Sequence, residues 1–594
     1  MSKIKNSYDM KKTYLPLFLA LLPLLASCSG SKICNVKALI TSLEPGSVTE
    51  VMVPMRDCVR LATDVYLPSG TGPFPAILIR LPYGKSGAGL SGSVAVMLAN
   101  LFRGEGYAMI VQDVRGRFRS EGDWYPLKYE VDDGIDTVRW TESQPWFDGH
   151  LGMAGGSYFG FTQLAVSYQK PSSLKAIAPL ITPGSAYALL YHHGLPRADI
   201  TVNWALSMRE KDQEAVVPES AFLSAATHWP LIEGDDISGG DLPWLDDWLR
   251  HPLDDGYYDR YLPKNAIELT GVPMFMASGW FDPFEETQLD NFERAQARAE
   301  ANGLDRIIIG PWTHSLGFGE NHDLEFPHGS NFPAFYQLMM DWFAAFLKGS
   351  ALPIDWGPVK IYDPGKDAWL DRPALWSPGR SAFRLYLAGT QASTVCGTPG
   401  RLETSQPAAS SAISYTYDPL NPILNRGGNL LIPERAGCRE QPDLCGRGDI
   451  AIFESGSFAE GITWEGRAIL NLPVSSSAPD TAFIARVSLV RPGGKIYNLR
   501  EGVMTLSHRE GDDKLAPYTP GEVVNLKIEF PPLLWTLKPG EALRLEIMSS
   551  SLPAVVQHPN VGHDWFLTAA PLPAEQTLHF SPKNPAYLEI PAVQ

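Results

Sequence analysis

The chain contains 594 residues, of which 44% are hydrophobic and 19% are charged. This composition is typical of globular proteins and excludes a disordered, fibrous or multi-span membrane protein. Its 49 Lys and Arg against 66 Asp and Glu give a formal net charge of −17, which argues against a non-specific nucleic-acid binder. Because a single hydrophobic core stops growing at roughly 250–300 residues, we predict two or three domains.

The N-terminus predicts export. In residues 1–27, lysines at positions 3, 5, 11 and 12 precede a short apolar segment at 14–26, which is typical of a secretory signal peptide. Residues 25–28, Leu-Ala-Ser-Cys, resemble a bacterial lipobox, which predicts acylation of Cys28. The mature protein is then lipid-anchored in the bacterial cell envelope, at the periplasmic or surface face of the outer membrane, with residues 28–48 as a tether. Ordinary cleavage near Ala26, without a lipid, is the alternative.

Strand-like and helix-like segments alternate through residues 49–184, which predicts the first part of an α/β domain with a parallel sheet. Strands are predicted at 76–80, 107–112 and 152–154, and helices at 132–142 and 161–168. Residues 185–268, rich in Trp, Asp, Pro and His, interrupt this pattern with a helical cap. The α/β pattern returns over residues 269–370, with strands at 272–279 and 306–310 and a helix at 334–347.

From residue 375 to residue 594 the pattern changes to short alternating segments separated by Pro-Gly and Gly-Gly turns. Strands are predicted at 383–387, 468–472, 482–489 and 543–547. Such spacing is typical of a β-sandwich, so the predicted fold class is an α/β domain followed by an all-β domain.

Five cysteines remain after Cys28, and an odd number leaves at least one without a partner in the chain. Cys438 and Cys445 lie seven positions apart in a segment rich in Pro and Gly, which favours a local disulfide between them. Neither a Cys-x-x-Cys pair nor a cluster of Cys and His occurs, so we predict no metal site and no cofactor.

The sequence GGSYFG (155–160) lies between a predicted strand and a predicted helix. A serine at such a turn exposes its Oγ, and the Tyr158 amide at the start of the helix can donate a hydrogen bond to an oxyanion. Small residues at positions 155, 156 and 160 let the strand and the helix approach closely. The alternative is a turn without a catalytic role, since Phe159 occupies the last position of the G-x-S-x-G pattern.

A nucleophilic serine needs a base and a group that orients the base. In α/β-hydrolases these follow the serine in the order Asp, His, each after a later strand. Asp282 follows the predicted strand 272–279, and His314 follows the predicted strand 306–310. Both have structural alternatives: Asp282 would cap a helix that has Glu285 at its third position, and His314 would be a buried structural histidine.

These segments resemble the CocE/NonD group of serine hydrolases, which contains cocaine esterases, X-Pro dipeptidyl-peptidases, glutaryl-acylases and α-amino-acid ester hydrolases. The resemblance covers nearly the whole chain after the signal. The matching segments are RLPYGK (80–85), QDVRGRFRSEG (112–122), QPWFDGHLGMAGGSYFGFTQ (144–163), ASGWFDPF (277–284), GPWTHS (310–315), WFAAFLKG (342–349), YDPLNP (417–422), SSSAPDTAFIARV (475–487) and HPNVG (558–562).

The resemblance implies an α/β-hydrolase domain with an inserted helical cap and a C-terminal jelly roll of the galactose-binding-like type. It also implies site residues. Ser157 is the expected nucleophile, Asp282 the orienting acid and His314 the general base. The Tyr83 hydroxyl is expected to complete the oxyanion hole beside the Tyr158 amide.

The sequence departs from the α-amino-acid ester hydrolases, which place two carboxylates for the substrate ammonium just after the triad Asp. Phe284 and Glu285 occupy these positions, so the pair is incomplete. Four acidic residues of the cap are the other candidates for that role: Asp235, Asp236, Asp246 and Asp247.

We therefore predict a serine hydrolase that cleaves an ester or amide bond of a small molecule through an acyl-enzyme, with a preference for small hydrophobic acyl groups. The alternatives are an X-Pro dipeptidyl-peptidase and a non-catalytic binding lipoprotein of the cell surface.

Overall fold

The computed structural model describes residues 34–37, 43–87, 89–298, 303–320, 322–329, 335–352, 356–394, 397–442, 444, 446–568 and 570–593. The predicted signal peptide and the proposed lipid-bearing Cys28 lie outside the described residues, as do Cys396 and Cys445. None of the helices in the described ranges combines the length and apolar character needed to cross a bilayer.

The α/β part is built on a sheet that has ten strands in the described residues. Together with a two-stranded hairpin of the inserted segment, the strands are β1 (Val48–Pro54), β2 (Arg60–Tyr66), β3 (Phe74–Leu81), β4 (Ala108–Asp113), β5 (Phe147–Gly156), β6 (Leu174–Leu180), β7 (Tyr191–His192), β8 (Leu195–Pro196), β9 (Phe275–Gly279), β10 (Arg306–Gly310), β11 (Val359–Asp363) and β12 (Ala368–Arg372). The strand order is β1-β2-β4-β3-β5-β6-β9-β10-β11-β12.

The strands from β4 to β11 in this order run parallel, whereas β1, β2 and β12 pair antiparallel at the two edges. Every residue of β4 and β9 is buried, as expected for parallel strands covered on both faces. This burial explains why continuous apolar runs predicted β3, β4, β5, β9 and β10. The edge strand β12 is half-exposed and gave no such run.

Helices pack on the sheet and also occur in the segment inserted after β6. They are α1 (Gly89–Gly104), α2 (Glu130–Glu142), α3 (Tyr158–Ser167), α4 (Ala186–Leu190), α5 (Ala205–Ser207), α6 (Glu219–Ala226), α7 (Pro243–Leu249), α8 (Ala266–Leu269), α9 (Glu285–Gln296) and α10 (Phe335–Lys348). The inserted segment contains α4 to α8, the β7–β8 hairpin and a π-helical stretch, Ala198–Trp204. Helix α3 begins three residues earlier than predicted, because the chain reverses at the single residue Ser157.

The C-terminal part is all-β, as predicted, and its described residues contain 13 connected strands. They are β13 (Ser381–Ala388), β14 (Gly400–Glu403), β15 (Ser411–Tyr417), β16 (Ala451–Ser455), β17 (Ile462–Gly466), β18 (Ile469–Ser476), β19 (Ala482–Val490), β20 (Ile496–Thr505), β21 (Val524–Glu529), β22 (Leu533–Leu537), β23 (Ala542–Met548), β24 (Ala574–Phe580) and β25 (Tyr587–Val593). Buried and exposed residues alternate along strands such as β21 and β24, the pattern of a sheet with one face on the core.

Polar contacts fasten the two parts to each other. The buried Asp363, at the end of β11, accepts hydrogen bonds from the amide and the hydroxyl of Thr536 at 3.0 and 2.6 Å. Arg467, just before β18, pairs with Glu286 and Asp290 of α9. The C-terminal domain therefore packs directly against the helix that follows Asp282.

The predicted Cys438–Cys445 disulfide is wrong, because Cys438 is a free, buried thiol. Its Sγ donates a hydrogen bond to the Asn498 carbonyl of β20 at 3.7 Å, and burial raises the pKa of this thiol. The side chain thus packs against the sandwich. The disulfide that the described residues do contain joins Cys34 to Cys58 in the turn between β1 and β2.

Candidate active site

Ser157 occupies a sharp turn between β5 and α3. Its backbone has φ 57° and ψ −126°, a strained conformation for a residue other than glycine. The turn is held in place because the Ser157 amide donates to the carbonyls of Leu180 and Ile181 at 2.9 and 3.1 Å. The side chain is half-buried and therefore still accessible. This geometry is that of a nucleophile elbow at the carboxyl edge of a parallel sheet.

Two glycines explain why the elbow needs small residues. Gly155 has φ +129°, and a Cβ there would lie 2.6 Å from the Cβ of Phe159. A Cβ on Gly160 would lie 2.5 Å from the Cβ of Thr182. Since real contacts of this kind are never so short, α3 reaches its position against the sheet only with glycine at both sites.

Two possible oxyanion donors lie beside the elbow. The Tyr158 amide is the first of helix α3, where no preceding turn supplies an acceptor. The Tyr83 hydroxyl is buried after β3 and accepts a hydrogen bond from Trp204 Nε1 at 3.2 Å. Burial raises the pKa of Tyr83, against the opposing effect of hydrogen bonds to Trp204 and Ser157, so the hydroxyl keeps its proton at neutral pH.

The side chain of Tyr158 is structural, in contrast to its amide. Its hydroxyl donates to Glu130 Oε1 and accepts from the Leu127 amide, both at 2.8 Å. Burial, reinforced by the Glu130 charge, raises the pKa of Tyr158 well above its usual range. These contacts fix the first residue of α3 and, with it, the direction of the amide.

Asp282 and His314 meet although they are 32 residues apart in the chain. His314 Nδ1 lies 2.9 Å from Asp282 Oδ1. Asp282 is fully buried and also accepts from Ser278 Oγ at 2.6 Å, whereas the His314 side chain is 19% exposed. A buried aspartate in contact with an accessible histidine is the arrangement of an orienting acid and a general base.

Backbone hydrogen bonds join the loops that carry these two residues. The amides of Trp280 and Phe281, in the acid turn (residues 279–284), donate to the carbonyls of Gly310 and Trp312 at 2.9 Å each. Strands β5, β9 and β10 end at the same edge of the sheet, so Ser157, Asp282 and His314 are presented there together.

The capping alternative for this turn is wrong. Helix α9 begins at Glu285, and Asp282 Oδ1 accepts from the Phe284 amide at 3.2 Å within the turn. Neither carboxylate oxygen of Glu285 has a hydrogen-bond partner in the described structure; Arg500 Nη2 lies 3.7 Å from Glu285 Oε1. Burial raises the pKa of Glu285 well above its usual range, against the opposing charge of Arg500.

Aromatic side chains contact two of the candidate site residues, His314 and Tyr83. The Phe284 ring packs edge-on against His314 with ring centroids 5.3 Å apart, and Tyr83 packs against Phe159 at 5.8 Å. The Arg197 guanidinium lies 5.8 Å from the Phe284 ring centroid, and Arg197 also donates to the Pro283 carbonyl. The Phe284 and Phe159 rings therefore contact His314 and Tyr83, and the Arg197 guanidinium lies beside Phe284.

Sequence reasoning missed several supporting residues. Arg117, in the segment QDVRGRFRSEG, is buried and donates to the carbonyls of Pro82, Met208 and Gln213, which ties the Tyr83 loop to the inserted segment. Burial lowers the pKa of Arg117 to about 10. The match of that segment to the family was the available signal. For Arg500 and Asn429, which contact the acid turn from the C-terminal domain, the sequence carries no such signal.

Three of the four acidic cap residues have local partners. Asp235 is buried and accepts from the Leu242 amide at 2.5 Å. Asp246 pairs with Arg250, and Asp247 accepts from the Tyr125 hydroxyl at 2.6 Å. These three contacts belong to the internal structure of the inserted segment.

Known proteins support the assignment from sequence. Residues 57–316 match the family model of the X-Pro dipeptidyl-peptidases (S15 family), and residues 355–589 match that of the X-Pro dipeptidyl-peptidase C-terminal non-catalytic domain. The cocaine esterase of Rhodococcus sp. (strain MB1 Bresler) is 29% identical over 575 residues, which span 92% of this chain and 98% of the relative.

Solved structures show the same fold. An aminopeptidase from a marine sediment Thaumarchaeota archaeon superposes with a TM-score of 0.79 at 22% identity, over 92% of this chain and 96% of its own. An α-amino acid ester hydrolase gives a TM-score of 0.77 at 21% identity, over 96% and 100%. These structures show the α/β-hydrolase fold. The two domain matches and the cocaine esterase relative show that the chain belongs to the CocE/NonD family of serine hydrolases.

Proposed function

We propose that this hydrolase cleaves esters or amides through an acyl-enzyme on Ser157, with His314 as general base and Asp282 as the acid that orients it. The observation that carries the proposal is the 2.9 Å contact between His314 Nδ1 and Asp282 Oδ1 at the sheet edge that presents the Ser157 elbow. With Nδ1 on Asp282, the other ring nitrogen of His314 is left to exchange protons with the nucleophile and the leaving group.

The reaction has two halves. Ser157 Oγ attacks the substrate carbonyl while its proton passes to His314, and the Tyr158 amide and Tyr83 hydroxyl donate to the resulting oxyanion. His314 then gives the proton to the departing alcohol or amine as the acyl bond breaks. Water hydrolyses the acyl-enzyme by the same route, releasing the acid and restoring Ser157.

We propose uncharged, apolar acyl groups as the preferred substrates. A substrate ammonium needs a buried carboxylate partner, since an unpaired charge in a pocket costs several kcal/mol. Phe284 offers a ring against His314, and Glu285 faces Arg500 of the C-terminal domain. The local partners of Asp235, Asp246 and Asp247 further support an acyl site without an ammonium partner.

An X-Pro dipeptidyl-peptidase is the second candidate, favoured by the description of both matched domain models. A matched panel of phenylacetyl esters, phenylacetyl anilides and dipeptidyl-Pro anilides separates the two. The first proposal predicts the highest kcat/KM for the uncharged esters. Faster release of dipeptides ending in Pro would overturn it in favour of the second.

We further propose that the protein is exported and anchored by a lipid on Cys28. Two features support this. The sequence of residues 25–28 resembles a lipobox, and the Cys34–Cys58 disulfide is typical of proteins in oxidising compartments, where disulfides persist. Cell fractionation of the wild type and of Cys28→Ala tests it. Wild type in the membrane fraction and an unanchored variant are expected; a wholly soluble wild type would exclude the anchor.

A further inference from the structure

A loop of the C-terminal domain lies across both loops that carry Asp282 and His314. We call residues 425–440, between β15 and β16, the clamp loop. Its two arms meet in a bridge between Gly428 and Gly437, and Asn498 of β20 fastens it by donating to the Gly437 carbonyl and accepting from the Arg439 amide at 3.1 and 2.7 Å. The loop is thus a fixed part of the sandwich.

One arm holds the acid turn. Asn429 Nδ2 donates to two backbone carbonyls of that turn, those of Trp280 at 3.2 Å and of Asp282 itself at 3.0 Å. From β20, Arg500 Nη1 donates to the same Trp280 carbonyl at 2.9 Å, and its guanidinium lies 5.5 Å from the Trp280 ring centroid. Fixing the Asp282 carbonyl fixes the point from which its carboxylate extends.

The other arm reaches the His314 loop through His322. The Cys438 amide of the clamp loop donates to His322 Nδ1 at 3.0 Å, and the Cys438 carbonyl accepts from the Asp323 amide at 2.8 Å. His322 Nε2 lies 3.2 Å from Glu320 Oε2. The clamp loop therefore contacts Glu320 through a single intervening ring.

Glu320 in turn holds the residues on either side of His314. Its carboxylate accepts from the amides of Thr313 and Gly317 at 3.0 and 3.1 Å and from Ser315 Oγ at 2.5 Å. Burial alone would raise the pKa of Glu320, but the contacts with His322 and Ser315 outweigh it and lower the pKa, so the group is a stable anion. An ionised carboxylate is the stronger acceptor for these three donors.

We propose that the clamp loop sets the contact between Asp282 and His314, with Asn429 and His322 as positioning residues for catalysis. This inference rests on the proposed function, because it assigns the support of that same triad. The two loops are joined to each other on the sheet side by backbone hydrogen bonds, and the clamp loop holds each of them from the sandwich side. Since a misplacement of about 1 Å in an active site can cost about 10²-fold in rate, this support matters for turnover.

A role in positioning differs measurably from a role in stability alone. The Asp282 carboxylate orients the His314 ring and stabilises the imidazolium that forms in the transition state, so a looser contact raises the barrier to turnover. Asp282 is the charged group in contact with the His314 ring, while Glu320 and His322 lie along its own loop. Loosening the acid turn should therefore lower kcat and leave KM nearly unchanged.

The test compares Asn429→Ala with Asn471→Ala in the full-length enzyme, on one ester. Asn471 is a matched control: its Nδ2 donates to the Pro585 carbonyl at 3.0 Å, within the C-terminal domain. Asn429→Ala should lower kcat about tenfold or more with little change in KM. Asn471→Ala should lower Tm comparably and leave both kinetic quantities at wild-type values.

A second variant approaches the contact from the other loop. His322→Phe keeps a ring between Phe281 and Phe326, whose centroids each lie 5.2 Å away, but removes both ring nitrogens. It should also lower kcat with little change in KM, and it keeps the test decisive if Asn429→Ala does not accumulate as folded protein. A wild-type kcat in either folded variant would overturn the inference, provided that wild-type turnover requires Ser157. If turnover does not require Ser157, the proposed function itself fails.

Discussion

The nucleophile elbow and the acid–base pair are held in place in different ways. The elbow depends on neighbours in the chain: Ser157 is fixed by carbonyls of Leu180 and Ile181, and helix α3 packs through Gly160 on Thr182. The acid turn and the His314 loop receive hydrogen bonds from Asn429, Arg500 and Cys438, more than a hundred residues later.

This difference assigns separate tasks to the two domains. In the proposed mechanism, the α/β domain alone supplies the nucleophile and both oxyanion donors. The C-terminal domain contacts the loops of the proposed acid–base pair, although the matched domain model describes it as non-catalytic. Substitutions at the elbow and substitutions in the contacts from the C-terminal domain should therefore differ in their effects on kcat.

The largest effect should come from Ser157→Ala, which removes the atom that forms the acyl-enzyme. We expect kcat to fall by roughly 10⁴–10⁶-fold, with the residual rate due to binding and the oxyanion donors. The unfolding transition should stay near that of the wild type, because the elbow is held by backbone contacts. Steady-state kinetics and thermal unfolding check this, and a variant that kept most of its kcat would refute Ser157 as the nucleophile.

Tyr83→Phe removes an oxyanion donor beside the Ser157 elbow and leaves Asp282 and His314 unchanged. It should lower kcat by roughly 10²–10³-fold with little change in KM, since the hydroxyl stabilises only the developing oxyanion. An unchanged kcat would reduce Tyr83 to a structural residue that accepts from Trp204.

Substrate selectivity gives a smaller effect and probes the acid turn. A phenylacetyl ester should be hydrolysed with a kcat/KM at least about tenfold higher than that of the phenylglycyl ester with the same leaving group. This ratio corresponds to about 1.4 kcal/mol of differential transition-state binding. The reason is the Phe284 ring where an ammonium would need a carboxylate. Preference for the amino ester at one common pH would contradict this reading of the turn.

The smallest kinetic effect should come from Glu285→Gln, three residues from Asp282. Because burial raises the pKa of Glu285, the folded state favours its protonated form. The stability that this form contributes is complete below the ordinary Glu pKa of about 4.3 and is lost as the pH rises towards the raised value. The free energy of unfolding of the wild type should thus fall relative to that of the variant as the pH rises above about 5, with kcat nearly unchanged. Denaturant unfolding at a series of pH values from about 5 upward measures this difference. A variant that is less stable than the wild type at about pH 8 would show that Arg500 keeps Glu285 ionised.

The same contrast explains what could be predicted from sequence. Buried parallel strands are continuous apolar runs, so β3, β4, β5, β9 and β10 were visible, and the residues that follow strand ends led to Ser157, Asp282 and His314. Asn429 and Arg500 were not visible, since a side chain that donates to a distant backbone carbonyl leaves no periodic or motif pattern. The predicted disulfide at Cys438 is wrong for a related reason, because spacing along the chain does not show that its thiol packs against β20.

Labelling with a fluorophosphonate, followed by peptide mapping, tests the central claim most directly, because the probe reacts covalently only with an activated serine. The account predicts one adduct, on the peptide that contains Ser157, absent in Ser157→Ala and formed more slowly in Asn429→Ala than in Asn471→Ala. Ester turnover by a wild-type enzyme that shows no adduct, or an adduct on another peptide, would contradict it.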